Sequence, residues 1–170
     1  EKVVDAIKTV GGIWISGFEW SGRYQQRSLL GWRFLSDEAS IASAAADLSR
    51  NNRDSREFLT ALGHALAHAS TILKAAPDIC IRQVIDVSSD GINNEGFDPA
   101  IAYHDFDFLD VTVNALVVQK DEHTVGYFER KVIRGPGAFV EVAANYDDYA
   151  RAIKRKLLRE IFGNGYAALR

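Results

Sequence analysis

The sequence has 170 residues, 47% of them apolar and 25% charged, the balance of a globular domain, which excludes a disordered or fibrous chain. A net charge of -3 and a pI near 5.8 give no basic face of the kind that grips nucleic acid. No apolar run approaches the ~20 residues of a membrane span.

Residues 2–9 read as an amphipathic helix closed by Gly11-Gly12. Glu1 opens directly into that pattern, no Met occurs, and no signal peptide is visible, so the chain reads as processed, trimmed or a fragment. Ile13–Trp20, rich in aromatic and β-branched residues, reads as a strand, and after the turn Ser21-Gly22-Arg23 a second strand, Gln25–Phe34, completes an antiparallel hairpin. Ser36 is placed to cap a helix over Ala39–Leu48, with Asp37 and Glu38 in its first turn. Asn51–Ser55 is turn-like, and Phe58, Leu59, Leu62, Leu66, Ala69 and Leu73 recur at helical spacing before Pro77.

The second half alternates. Cys80–Ser88 reads as a strand, Ser89–Gly96 as a polar loop, Pro99–Leu109 as a helix, and the nearly continuous apolar run Val111–Val118 as a strand covered on both faces. Thr124–Arg130 reads as a helix, Arg134–Gly137 as a loop, Ala138–Val142 as a short strand and Asp147–Phe162 as the last helix. Residues 1–170 therefore read as one α/β domain with a parallel sheet between helices. In such sheets ligands bind beyond the carboxyl ends of the strands, where the loop Ser88–Gly96 lies. Cys80, the only cysteine, cannot form an internal disulfide and reads as a small core hydrophobe. Arg151, Lys154, Arg155, Lys156 and Arg159 read as a solvated helix face.

The run from Asp86 to Gly96 gathers oxygen donors at a strand end, the ligand type that hard divalent cations take. As a calcium loop it fails, because Phe97 stands where a bidentate Glu is needed and a strand precedes it. A serine-nucleophile elbow is also absent, since Ser88-Ser89-Asp90-Gly91 lacks the first glycine. His64 and His68 share a helix face without the Glu of a zinc-protease motif. From composition alone, Asp90 and Asn93 also fit a polar turn bonded to its own backbone.

Ordered along the chain are Glu19-Trp-Ser-Gly22, Val84-Ile-Asp-Val-Ser-Ser-Asp-Gly-Ile-Asn-Asn94, Thr112-Val-Asn-Ala-Leu116, Gly135-Pro-Gly-Ala-Phe-Val140 and the closing helix from Tyr149 to Leu157. Together they resemble a bacterial family of unknown function similar to von Willebrand factor A domains. That resemblance implies a doubly wound, mostly parallel, six-stranded sheet with one antiparallel edge strand, held in the hairpin. It also implies a metal-ion-dependent adhesion site, in which magnesium or manganese takes an acidic group of a protein partner. Thr60 matches the family's threonine and Asp90 its later aspartate, with Ser88, Ser89, Asn93 and Asn94 as further site-loop residues. The family's Asp-x-Ser-x-Ser has no counterpart here, because the chain begins after the place of that first, central strand. Metal binding by this chain is therefore expected to be weak or absent, and an open interior strand edge to invite association with another chain.

Three functions follow as alternatives. The first is an adhesion-type domain that binds a protein partner, with neither nucleic acid nor a membrane span involved. The second is a metal-assisted hydrolase using Asp86, Asp90 and His104, for which no positioned general base can be named. The third is a metal-free structural role, with Asp90, Asn93 and Asn94 closing a loop. The resembled family's members are often exported, and the sequence leaves the compartment of this chain open.

Overall fold

A computed structural model describes residues 2–51, 59–118 and 121–163. In chain order the elements are α1 (Lys2–Thr9), β1 (Ile13–Trp20), β2 (Gln26–Leu35), α2 (Glu38–Ser49), α3 (Leu62–Lys74), β3 (Gln83–Ser89), α4 (Pro99–Asp105), β4 (Val111–Val118), α5 (Glu122–Lys131), β5 (Val140–Ala143), a 3-10 turn (Tyr146–Asp148) and α6 (Tyr149–Phe162).

The strands form two sheets. β3, β4 and β5 are parallel in the order β3-β4-β5, and β1 and β2 form a separate antiparallel pair. The resemblance implies one sheet with the hairpin at its edge and its central strand absent from this chain; among the described residues β1 bonds only to β2 and β3 only to β4, so the hairpin stands as a separate sheet.

β4 is the most enclosed element. Only Thr112 of its eight residues is not fully buried, as a continuous apolar run between helices requires. Ile85, Val87, Val113, Ala115 and Val117 pack against α3, α4 and α5 on one face. On the other face Leu116, Val118 and Ala143 meet Ala152, Tyr149 and Ile153 of α6. The hairpin has its own core, in which Leu30, Leu35, Ile13 and Ile15 pack with Ile7 of α1 and Ala44 of α2.

Helix α3 ties the halves together. Trp32 Nε1 of β2 donates to Ile72 O at 3.3 Å, Phe18 of β1 meets His68 edge-on, and Ala61 N donates to Ser21 O at 2.9 Å.

Several boundaries differ from the sequence reading for local reasons. Asp37, rather than Ser36, caps α2, through a capping box with Ser40. β3 starts at Gln83, opposite Val111 where β4 begins; earlier residues have no strand to pair with, and Ile79 and Ile81 are fully exposed. Helix α4 ends at Asp105, since Phe106 turns extended and Asp107 O accepts from Ser70 Oγ. Helix α3 begins at Leu62, because both backbone groups of Thr60 are bonded elsewhere, as described next. Phe58, read as its first residue, and Asn52–Ser55 of the expected turn lie outside the described residues.

Candidate functional site

β1 and β3 both end at one rim of the molecule, and a cleft of about 1080 Å³ separates them. Thr60, Ser88, Ser89 and Asp90 all line it. The site-loop residues named from the sequence are thus brought together, although Thr60 and Asp90 are thirty positions apart.

Two asparagines hold this arrangement. Thr60 N donates to Asn94 Oδ1 at 2.7 Å, and Thr60 O accepts from Asn94 N at 2.9 Å. These bonds keep Thr60 out of α3, which begins at Leu62. Ala61, at the N-cap of α3, has no side chain able to cap it, and Asn93 Oδ1 takes that place by accepting from Gly63 N at 3.3 Å. The contact is close enough to demand glycine: a Cβ on Gly63 would lie 2.1 Å from Phe97 O. Asn93 and Asn94 therefore do structural work, and neither lines the cleft.

The loop also positions the chemistry-bearing atoms. A Cβ on Gly91 would meet Thr60 Oγ1 at 3.5 Å, so the Thr60 hydroxyl lies on the side of the loop next to Asp90. Ser89 Oγ donates to Gly91 O at 2.9 Å and accepts from Gly91 N at 3.3 Å, an internal turn. Asp90 is exposed, and its Oδ2 accepts from the Tyr146 hydroxyl at 2.6 Å. Tyr149 donates to Ser88 Oγ at 3.3 Å. Neither tyrosine stood out in the sequence, because nothing in Asn145–Tyr149 marks it as lying beside a loop some sixty residues earlier.

Magnesium asks for near-octahedral oxygen coordination. Of Thr60, Ser88, Ser89 and Asp90 at the rim, Asp90 alone carries a carboxylate, already bonded to Tyr146, and the Ser88 and Ser89 hydroxyls are engaged with Tyr149 and Gly91. Among the described residues no three His, Cys, Asp or Glu side chains come together. By themselves these residues do not fit the metal.

Below the rim, Asp86 of β3 turns toward α6. The fully buried Lys156 ammonium sits 2.5 Å from Asp86 Oδ1 and 2.5 Å from Glu160 Oε1. Glu160 also accepts from Asn114 Nδ2 at 2.8 Å, and Asn114 Oδ1 accepts from Phe139 N at 3.1 Å. Burial pushes the Asp86 carboxyl above its usual range against the pull of Lys156. Burial, and then the Asp86 charge, do the same to Glu160. One cation between two carboxylates leaves a buried excess of acid, which a raised proton affinity relieves.

This network changes two readings. Lys156 is buried, so the basic cluster is not wholly a solvated face; the sequence could have hinted at this, since Lys156 shares a helix side with Ala152 and Glu160. Asp86 is bound within the network, and His104 is exposed on α4 against Asp105 and does not line the cleft. The proposed hydrolytic trio of Asp86, Asp90 and His104 is not assembled. Cys80 is half-buried outside any strand, a correction to its reading as a strand residue.

The fold is that of von Willebrand factor A domains. The structure is similar to a von Willebrand factor type A protein from Catenulispora acidiphila, with a TM-score of 0.67 and 15% identity over 94% of this chain and 36% of that one. It is similar to proximal thread matrix protein 1 of the mussel byssus, with a TM-score of 0.67 and 16% identity over 92% of this chain and 39% of that one. BatB from Bacteroides thetaiotaomicron gives a TM-score of 0.57 and 15% identity over 94% of this chain and 83% of that one. The chain thus spans well under half the length of the first two. No curated protein matches the sequence. Over residues 1–165 the sequence matches the family described as protein of unknown function DUF1194, and the chain belongs to that family.

Proposed function

We propose that this chain is a protein-interaction domain whose partner docks at the rim formed by Thr60, Ser88, Ser89 and Asp90. What supports the reading is one observation: the loop after β3 and the segment before α3 are bonded through Asn93 and Asn94 so that these oxygen donors share one cleft mouth. In an α/β sheet that is where ligands bind. The partner contributes an acidic group, and a magnesium or manganese ion joins it to the rim. The ion binds only once further oxygen ligands arrive, because the rim's single carboxylate is too few.

Those ligands are supplied by a strand lying in the cleft between β1 and β3, ending in Asp-x-Ser-x-Ser as the family resemblance implies. Such a strand would join the two sheets into one. No described helix is long and apolar enough to cross a membrane, and a similar fold occurs in an aerotolerance-related membrane protein from Bacteroides fragilis. An exported location belongs to the same proposal.

Titration calorimetry tests it. The chain alone should give little or no magnesium or manganese heat. With a synthetic strand peptide ending in Asp-x-Ser-x-Ser, metal should bind, and Asp90→Ala should abolish that binding. Metal binding that survives Asp90→Ala would overturn the assignment of the rim. No binding under any condition would leave Asp90, Asn93 and Asn94 as loop-closing residues, the role their hydrogen bonds already fill.

A further inference from the structure

We propose that two copies of this chain associate about a two-fold axis through an apolar face at the base of the parallel sheet, Ile79, Ile81 and Leu109 of one copy packing against the same residues of the other. The face lies where β3 begins, at the opposite end of that strand from the rim, so the proposal stands apart from the reading of the rim.

Exposure marks the face. Ile79 and Ile81 keep essentially all of their surface, and Leu109 keeps 79%. One exposed aliphatic residue is ordinary, whereas a cluster of them marks a contact surface. Ile79 and Leu109, thirty positions apart, border one hollow of about 490 Å³ together with Leu73, Pro77 and Val111. Hollows of roughly 300–1,000 Å³ hold whole small molecules, so an isoleucine side chain from a facing copy has room to enter.

The chain pattern points the same way. Helix α3 ends at Lys74, and the ladder of β3 starts at Gln83. Between them Ile79 and Ile81 are exposed while Cys80 is half-buried. An exposed segment beside a sheet ordinarily turns its polar positions to water. Here the outward positions carry isoleucine and the inward one the smaller cysteine, the order expected where the outer side is itself covered.

Charge selects the occupant. Lys74, Asp78 and Asp107 also border the hollow, and the Lys74 ammonium is 3.6 Å from Asp107, both side chains more than half exposed. A partner of one sign would meet its own sign here. A copy turned about a two-fold axis brings Lys74 of each chain toward Asp78 of the other, so the patch is its own complement, as an isologous contact requires.

Area sets the strength. Burying an aliphatic side chain takes roughly 60–120 Å² of apolar surface from water, so three from each copy give roughly 400–700 Å². With apolar atoms making up about 57% of an ordinary interface, the whole contact comes to roughly 700–1,200 Å², the size of a weak and reversible association.

Sedimentation velocity on the whole chain tests this, at concentrations from roughly 1 µM to 1 mM. A reversible monomer–dimer equilibrium should appear within that range. Ile81→Asp and, separately, Leu109→Asp should each weaken it by about tenfold or more, since a carboxylate would be buried without a partner. Both residues are exposed and outside any strand, so thermal midpoints should stay at the parent value. Lys74→Glu should also weaken it, most at low salt. Tyr24→Asp, at an exposed residue in the turn after β1, should change nothing. A chain monomeric throughout, or a dimer that both aspartate variants leave intact, would overturn the proposal. So would a dimer dissolved by the Asp-x-Ser-x-Ser strand peptide, because that contact would lie at the cleft.

Discussion

The two sheets of this domain meet different fates from similar material. β4 and β1 are both eight residues long and rich in β-branched or aromatic residues. In β4 seven residues are buried, and Val113, Ala115, Leu116 and Val117 have no accessible surface. In β1 every residue is only half-buried. The difference lies in neighbours: β4 has a strand on each side and helices on both faces, whereas β1 has β2 on one side and a cleft on the other. Strand composition sets what a segment can bury, and pairing on both edges sets what it does bury.

Charge sharpens the contrast most. In the parallel half, Lys156 is wholly enclosed between Asp86 and Glu160; in the hairpin, the Glu19–Arg27 pair at 2.7 Å remains partly solvated. Lys156→Met should cost about 3–5 kcal/mol in denaturant unfolding, because Asp86 and Glu160 are left without the buried cation that joins them, while Glu19→Gln should cost no more than about 1 kcal/mol. The sign with pH follows from the raised carboxyls. Groups whose folded-state proton affinity is raised lose stability as pH rises, since the folded state then binds the extra protons. The Lys156→Met deficit should therefore be larger at pH 7 than at pH 5. A deficit independent of pH would mean that the cluster is not a buried acid pair.

Packing gives the next effect. Leu116→Ala should cost about 2–5 kcal/mol, as expected for a fully enclosed side chain. Ile15→Ala in β1 should cost about half as much, its site being open enough to relax. Equal losses would remove the distinction between the strands. At the rim the effects are smaller. Asn93→Ala removes the acceptor that caps α3 and should lower stability by about 0.5–2 kcal/mol. Asp90→Ala, at an exposed carboxylate, should stay within about 0.5 kcal/mol in thermal unfolding.

Much of the architecture was legible in the sequence where a pattern is local. The continuous apolar run of β4, the hairpin with its short turn, and the alternation after Cys80 each carry their own periodicity. The loop Ser88–Gly96 was legible as a candidate site because its place at a strand end follows from that alternation. Other features were not legible because they depend on partners distant in the chain. The start of α3 is set by Asn94 bonding to Thr60, thirty-four positions away. The start of β3 is set by where β4 begins. Asp86 looked like a ligand from its neighbours in sequence, and only the fold shows it committed to Lys156, seventy positions later. Periodicity also cannot say whether two sheets share an edge, and among the described residues the hairpin pairs with no other strand.

The most direct measurement is native-state hydrogen exchange on the chain alone, resolved strand by strand. The account predicts that the outward-facing amides of β1 and β3 exchange quickly while those of β4 exchange only through global unfolding. Protection of the β1 and β3 edges equal to that of β4 would contradict it, because the two sheets would then not border an open cleft.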